Sequence, residues 1–130
     1  MIYVSPLELH ETWPLIKPGL EIVIKKSKAD WIPEDVYSAL QTGNSTLHLL
    51  YNVDEYEGFV VLTPTKGYAG MTLFVWCAYS PTNTDVVSRY YPDIEKIARN
   101  IFAKKVRFAS TRKGWSKMFT PVTTIYERKV

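Results

Sequence analysis

The spacing of apolar residues in this chain changes several times, and each change marks an element. Ile2-Tyr-Val4 is a short apolar run suited to an edge strand. Ser5-Pro-Leu-Glu8 has the Ser-x-x-Glu spacing of a capping box, with proline at the first helical position, so a helix is expected to start near residue 6. Trp13, Ile16, Leu20, Val23 and Ile24 then recur at three- and four-residue intervals, which sets one stripe against a core. Pro14 and Pro18 fall inside that pattern and predict either two short helices or one with a kink. The segment over 33–43 reads as a second helix: Pro33 opens it, Glu34 and Asp35 lie in its first turn where the macrodipole favours acids, and Gly43 closes it.

Three strands follow over 46–51, 56–63 and 72–79, separated by turn formers, and their short connections predict an antiparallel meander. A polar loop from Ser80, a helix over 92–103 and a strand over 105–110 come next. A short helix over 111–119, stopped by Thr120-Pro121, and a strand over 122–129 complete the order β-α-α-β-β-β-α-β-α-β, read as one domain over 1–130. Residues 72–110 form a β-loop-α-β unit, which makes parallel neighbours and opens a crevice at the carboxyl end of the first strand. A small molecule is expected there.

Composition adds limits. The single cysteine, Cys77, lies in the most apolar strand, so no intramolecular disulfide or Cys-rich metal site can form, and a reducing cytoplasmic setting is expected. His10 and His48 have no carboxylates at ligand spacing, which argues for structural roles and against a metal. The amino terminus lacks a basic run followed by an apolar core, and no apolar stretch is long enough to cross a membrane, so an unexported chain without membrane partners is expected. Charge is uneven: acids predominate through Phe59, whereas from Lys96 onward ten cations face Glu127 alone. That asymmetry suits phosphate-bearing ligands, nucleic acid or an acidic protein, or else a solvated helix face.

The strand Tyr56-Glu-Gly-Phe-Val-Val-Leu62, the strand Leu73-Phe-Val-Trp-Cys-Ala-Tyr79, the helix Ile94-Glu-Lys-Ile-Ala-Arg-Asn100 and the terminal run Thr123-Thr-Ile-Tyr-Glu-Arg-Lys-Val130, in this order, resemble the GNAT superfamily of N-acetyltransferases. A tryptophan-bearing first helix and Arg112-Lys-Gly-Trp115 are most similar to its small bacteriophage-encoded members. The resemblance implies an α/β (α+β) fold: a mixed, mostly antiparallel sheet with a splayed central parallel pair, flanked by helices. It also implies acetyl-coenzyme A between the strands over 72–79 and 105–110, its pantetheine arm along the backbone of Val75, Trp76 and Cys77 and its diphosphate on the following loop and helix start.

That loop departs from the family pattern. Members carry a glycine-rich Arg/Gln-x-x-Gly-x-Gly/Ala sequence, whereas residues 80–92 here contain no glycine. Ser80, Thr82, Asn83, Thr84 and Ser88 offer donors and Arg89 a phosphate clamp, but Asp85 brings a negative charge toward the phosphates. The tyrosine that often protonates the leaving thiolate has no counterpart between Tyr91 and Tyr126; Lys117 falls near its place, and Glu57 is the carboxylate best placed for a general base. Tyr90 and Tyr91 beside Arg89, together with Arg112 and Trp115, suit a partner surface. The expectation is a GNAT-fold protein with a degenerate acetyl-coenzyme A site, phage- or prophage-encoded, serving as a non-catalytic binding or virion-associated module with a virion or host protein as partner. The alternative is an active acetyl-CoA-dependent N-acetyltransferase; a basic nucleic-acid binder is a minor one, since no nucleic-acid module is recognised.

Overall fold

The computed structural model describes residues 1–82, 85–109 and 128–129. Its elements run β1 (Ile2–Val4), α1 (Leu9–Ser27), α2 (Pro33–Gln41), β2 (Thr46–Asn52), β3 (Glu55–Gly67), β4 (Gly70–Tyr79), α3 (Val86–Arg89), α4 (Tyr91–Asn100) and β5 (Lys105–Phe108). The strands lie in chain order in one sheet: β1 to β4 are antiparallel neighbours, and β4 and β5 are parallel. The expected mixed sheet, its meander and its parallel pair are therefore present. The helix expected over 111–119 and the strand expected over 122–129 lie outside the described residues.

Phe59, Val60, Val61 and Leu62 of β3 are all fully buried, because this central strand is covered on both faces. Phe59 and Val61 join Leu47, Leu49 and Cys77 beneath Ile16 and Leu20 of α1 and Val36 and Leu40 of α2. Val60 and Leu62 join Leu73 and Val75 beneath Val86, Val87, Ile94 and Ala98 of α3 and α4. Strand alternation thus feeds two cores from one apolar run.

Two helices differ from expectation. Glu8 reaches back to Ser5 as the capping box predicts, its Oε1 accepting from the Ser5 N–H at 3.2 Å and from Oγ at 2.9 Å, but this closes a turn and α1 begins at Leu9. That helix is then continuous through Pro14 and Pro18. His10, Pro14 and Pro18 are exposed and spaced by four, so the carbonyls that lose their proline donors face water. The second difference is α3, a one-turn helix inside the expected loop, described below.

Candidate functional site

The parallel pair is short. β5 pairs with Thr72 through Val75 and no further, so among the described residues Trp76 to Tyr79 have no strand neighbour on that side. A β-bulge marks the point of separation: Val61 faces Cys77 while Leu62 faces Val75, leaving Trp76 as the extra residue. The bulge turns both Trp76 and Cys77 toward α1 and α2, where Trp31, from the α1–α2 connection, packs edge-on against Trp76 at 5.5 Å. Val75 and Cys77 are buried in opposite cores, so what this stretch offers a ligand is its backbone edge. Burial also pushes the Cys77 thiol well above its ordinary range, which leaves it unreactive packing.

Gly58 shapes the same end of the sheet. Its φ of +136° is closed to other residues, and a Cβ there would stand 1.8 Å from the Tyr79 carbonyl oxygen. A second bulge precedes it, since Leu50 faces Gly58 but Tyr51 faces Tyr56, and the extra residue is Glu57. Glu57 is thereby turned onto α3. Arg89 Nη1 donates to its Oε2 at 2.7 Å, and the Tyr90 hydroxyl donates to Oε1 while lying 3.3 Å from the Tyr51 carbonyl oxygen. The Arg89 guanidinium also sits 5.9 Å from the centre of the Tyr90 ring. Burial, followed by the hydrogen bond and charge of Glu57, pushes the Tyr90 phenol up to about 12.

The start of α3 is filled by the protein itself. Asp85 is its cap: one carboxylate oxygen accepts from the Ser88 N–H at 3.1 Å, and the other accepts from the Ser88 hydroxyl at 2.7 Å. The Asp-x-x-Ser spacing over 85–88 was the sequence signal for this turn.

Several solved structures share this architecture. A probable acetyltransferase is 15% identical with a TM-score of 0.66, the alignment covering 98% of each chain. A ribosomal-protein-alanine N-acetyltransferase from Brucella melitensis biovar Abortus 2308 is 13% identical with a TM-score of 0.67, covering 98% of this chain and 97% of that one. An aminoglycoside acetyltransferase from an uncultured soil metagenomic sample is 9% identical with a TM-score of 0.68, covering 98% and 92%. The fold is the GNAT fold. No protein-family model and no curated protein matches the sequence.

Within the GNAT fold, the sequence-derived residues fall into groups. Val75, Trp76 and Cys77, expected to lie along the pantetheine arm, are at the separation of the parallel strands. Ser80, Thr82, Ser88 and Arg89 follow at its mouth, but Arg89, expected as a phosphate clamp, is held by Glu57. Glu57, considered as a base, is engaged by two partners. Tyr90, expected on an exposed surface, is buried at 9% exposure, and Tyr91 is half-buried. Asn83, Thr84, Arg112, Trp115 and Lys117 lie outside the described residues. The residue that sequence reasoning missed is Tyr90 as Glu57's partner: thirty-three positions separate them, and no local pattern signals the pair.

The residues at this mouth suit acetyl-coenzyme A only in part. The free backbone edge after Val75 matches an extended pantetheine arm, but the donors of the α3 terminus face a carboxylate and the nearby guanidinium is paired. A diphosphate would have to displace both. Among the described residues no cluster of ligating side chains could hold a metal, and no helix is long and apolar enough to cross a membrane.

Proposed function

We propose that this chain is a GNAT-fold binding module whose coenzyme phosphate site is closed, and that it does not transfer acetyl groups. The observation that carries the reading is Asp85, whose carboxylate occupies the α3 start where the fold would receive diphosphate. Placing two phosphate charges beside that carboxylate is unfavourable. The pairing of Arg89 with Glu57 supports the same reading. The likeness to small bacteriophage-encoded members, through Arg112-Lys-Gly-Trp115 and the tryptophan in α1, supports a phage or prophage setting, a virion or host protein as partner, and the host cytoplasm or virion as location.

The alternative, an active acetyl-CoA-dependent N-acetyltransferase, has one observation in its favour: the bulge at Trp76 and the separated strand edge are intact. Thermal unfolding with acetyl-coenzyme A separates the two. A site with a Kd of about 10 μM would add about 2.7 kcal/mol at 1 mM ligand, a rise of several degrees. No rise is expected; a saturable one, or transfer of labelled acetyl to any amine, would overturn the proposal.

A further inference from the structure

The end of the sheet opposite the separated strands combines features that neither folding nor coenzyme binding requires. The β3–β4 hairpin tip and the α4–β5 turn lie side by side there: the Lys104 N–H donates to the Met71 carbonyl at 2.9 Å, and the Lys104 side chain would touch a Cβ on Gly70 at 3.6 Å. Each turn presents one aromatic ring to solvent. Tyr68, at the hairpin tip, is fully exposed, and Phe102 is 87% exposed.

Phe102 is unusual in a second respect. α4 ends with the Ala103 N–H donating to the Ala98 carbonyl at 2.8 Å and the Phe102 N–H to Arg99 at 3.1 Å, a closure that places Phe102 in the left-handed region with φ 59°. Glycine or asparagine is the residue that suits this position. A bulky ring that is both strained in its backbone and exposed to water contributes nothing evident to stability.

Exposed cations lie on the segments that carry the two rings and on the strand that follows. Lys66, Lys104, Lys105, Arg107 and Arg99 are all exposed, and among the described residues Glu95 is bonded to Arg99 at 2.5 Å. A groove of about 300 Å³ runs between α4 and β5, lined by Glu95, Ala98, Arg99, Lys104, Lys105 and Val106. Val53 is likewise exposed at positive φ, but it adjoins Asp54 and Glu55, so that turn lacks this charge.

We propose that this basic, aromatic corner binds single-stranded nucleic acid. Exposed flat rings stack on unpaired bases, and the lysines and Arg99 neutralise the phosphates between them. The choice over a lipid surface rests on the residues: both large exposed apolar side chains at these two turns are aromatic, and they project from separate turns, which meet at Lys104, a lining residue of the groove.

The test is fluorescence anisotropy of a labelled twenty-residue oligouridylate with the full chain. Saturable binding is expected, with log K falling against log salt at a slope of about −3 for four contacted phosphates. Phe102→Gly relieves the backbone strain, so its melting temperature should rise while binding weakens about fivefold or more. Tyr68→Ser, at a solvent-exposed tip, should weaken binding similarly with no change in melting temperature. Lys104→Gln with Lys105→Gln should lower the slope by about 1.4. Failure to bind at low salt would overturn the proposal. So would variants of Phe102 and Tyr68 that bind like the native chain, or capture by phosphatidylserine vesicles in preference to the oligonucleotide.

Discussion

The Tyr90→Phe variant tests whether the β3 bulge and α3 are fastened together as described. The substitution keeps the buried ring and removes the hydroxyl that donates to Glu57. A hydrogen bond to a charged group contributes about 1.5–3 kcal/mol net, and Glu57 retains Arg89 at 2.7 Å, which places the expected loss near the middle of that range. With an unfolding entropy of about 2.1 cal/mol/K per residue, a loss of about 2 kcal/mol lowers the melting temperature by about 7 °C. The effect also depends on pH. The Tyr90 phenol rises from 10.0 in its ordinary state to about 12 in the fold, so the folded protein holds that proton more tightly than the unfolded chain. The stabilisation is complete below pH 10 and is lost as pH climbs toward 12, a change of about 2–3 kcal/mol. Tyr56, pushed up to about 12 by burial and then by Tyr79 and Tyr51, and Cys77, whose thiol burial pushes well above its ordinary range, release protons on unfolding across the same window, so the variant should retain about two-thirds of the alkaline slope. Urea unfolding at pH 8, 10 and 11 measures both quantities. Native stability at pH 8, or an unchanged slope above pH 10, would refute the fastening.

Three further outcomes follow from particular contacts. Gly58→Ala brings a Cβ to 1.8 Å from the Tyr79 carbonyl at φ +136° and should destabilise by about 4 kcal/mol or more, read as loss of soluble folded protein. Tyr56→Phe should stabilise by about 1 kcal/mol in denaturant melts, because the Tyr56 hydroxyl is buried without a hydrogen-bond partner and its removal ends that cost. Cys77, buried with its thiol pushed up, should resist a thiol reagent at neutral pH until the chain unfolds, so labelling and unfolding rates should coincide under strongly reactive conditions.

Much of the fold was legible because local signals and tertiary packing agree. Pro33, Glu34, Asp35 and Gly43 bracket α2, and the Asp35 carboxylate accepts from the Ile32 N–H at 3.0 Å as an N-terminal acid should. The run over 56–63 was legible as a strand, and its unbroken Phe59-Val-Val-Leu62 stretch is buried on both faces. Of the two readings of α1, the pair of short helices does not form, since proline's cost depends on whether the orphaned carbonyl meets water, and that requires knowing which face is buried. The site was less legible. Glu57 was read as a candidate base and not as a partner of α3, because the bulge that turns it onto α3 depends on pairing with β2, which sequence spacing cannot show. Arg89 and Tyr90 looked available for the same reason: their partner lies on another strand.

The charge asymmetry read along the chain becomes an asymmetry between the two ends of the sheet. At the separated end, Glu57 and Asp85 hold Arg89 and the start of α3, while Asp54 and Glu55 occupy the adjoining turn. At the other end, Lys66, Lys104, Lys105 and Arg107 lie on the hairpin tip, the α4–β5 turn and β5, and among the described residues the nearby Arg99 pairs with Glu95. A phosphate-bearing ligand therefore meets carboxylates where the GNAT fold would present backbone donors, and cations where the fold has no site of its own. Since exposed charges act over about a Debye length of 10 Å at moderate salt, each end responds to its own residues. The proposed closure of the diphosphate site and the proposed polyanion surface are thus separable by experiment: acids added at the basic corner should abolish oligonucleotide binding and leave the response to acetyl-coenzyme A unchanged.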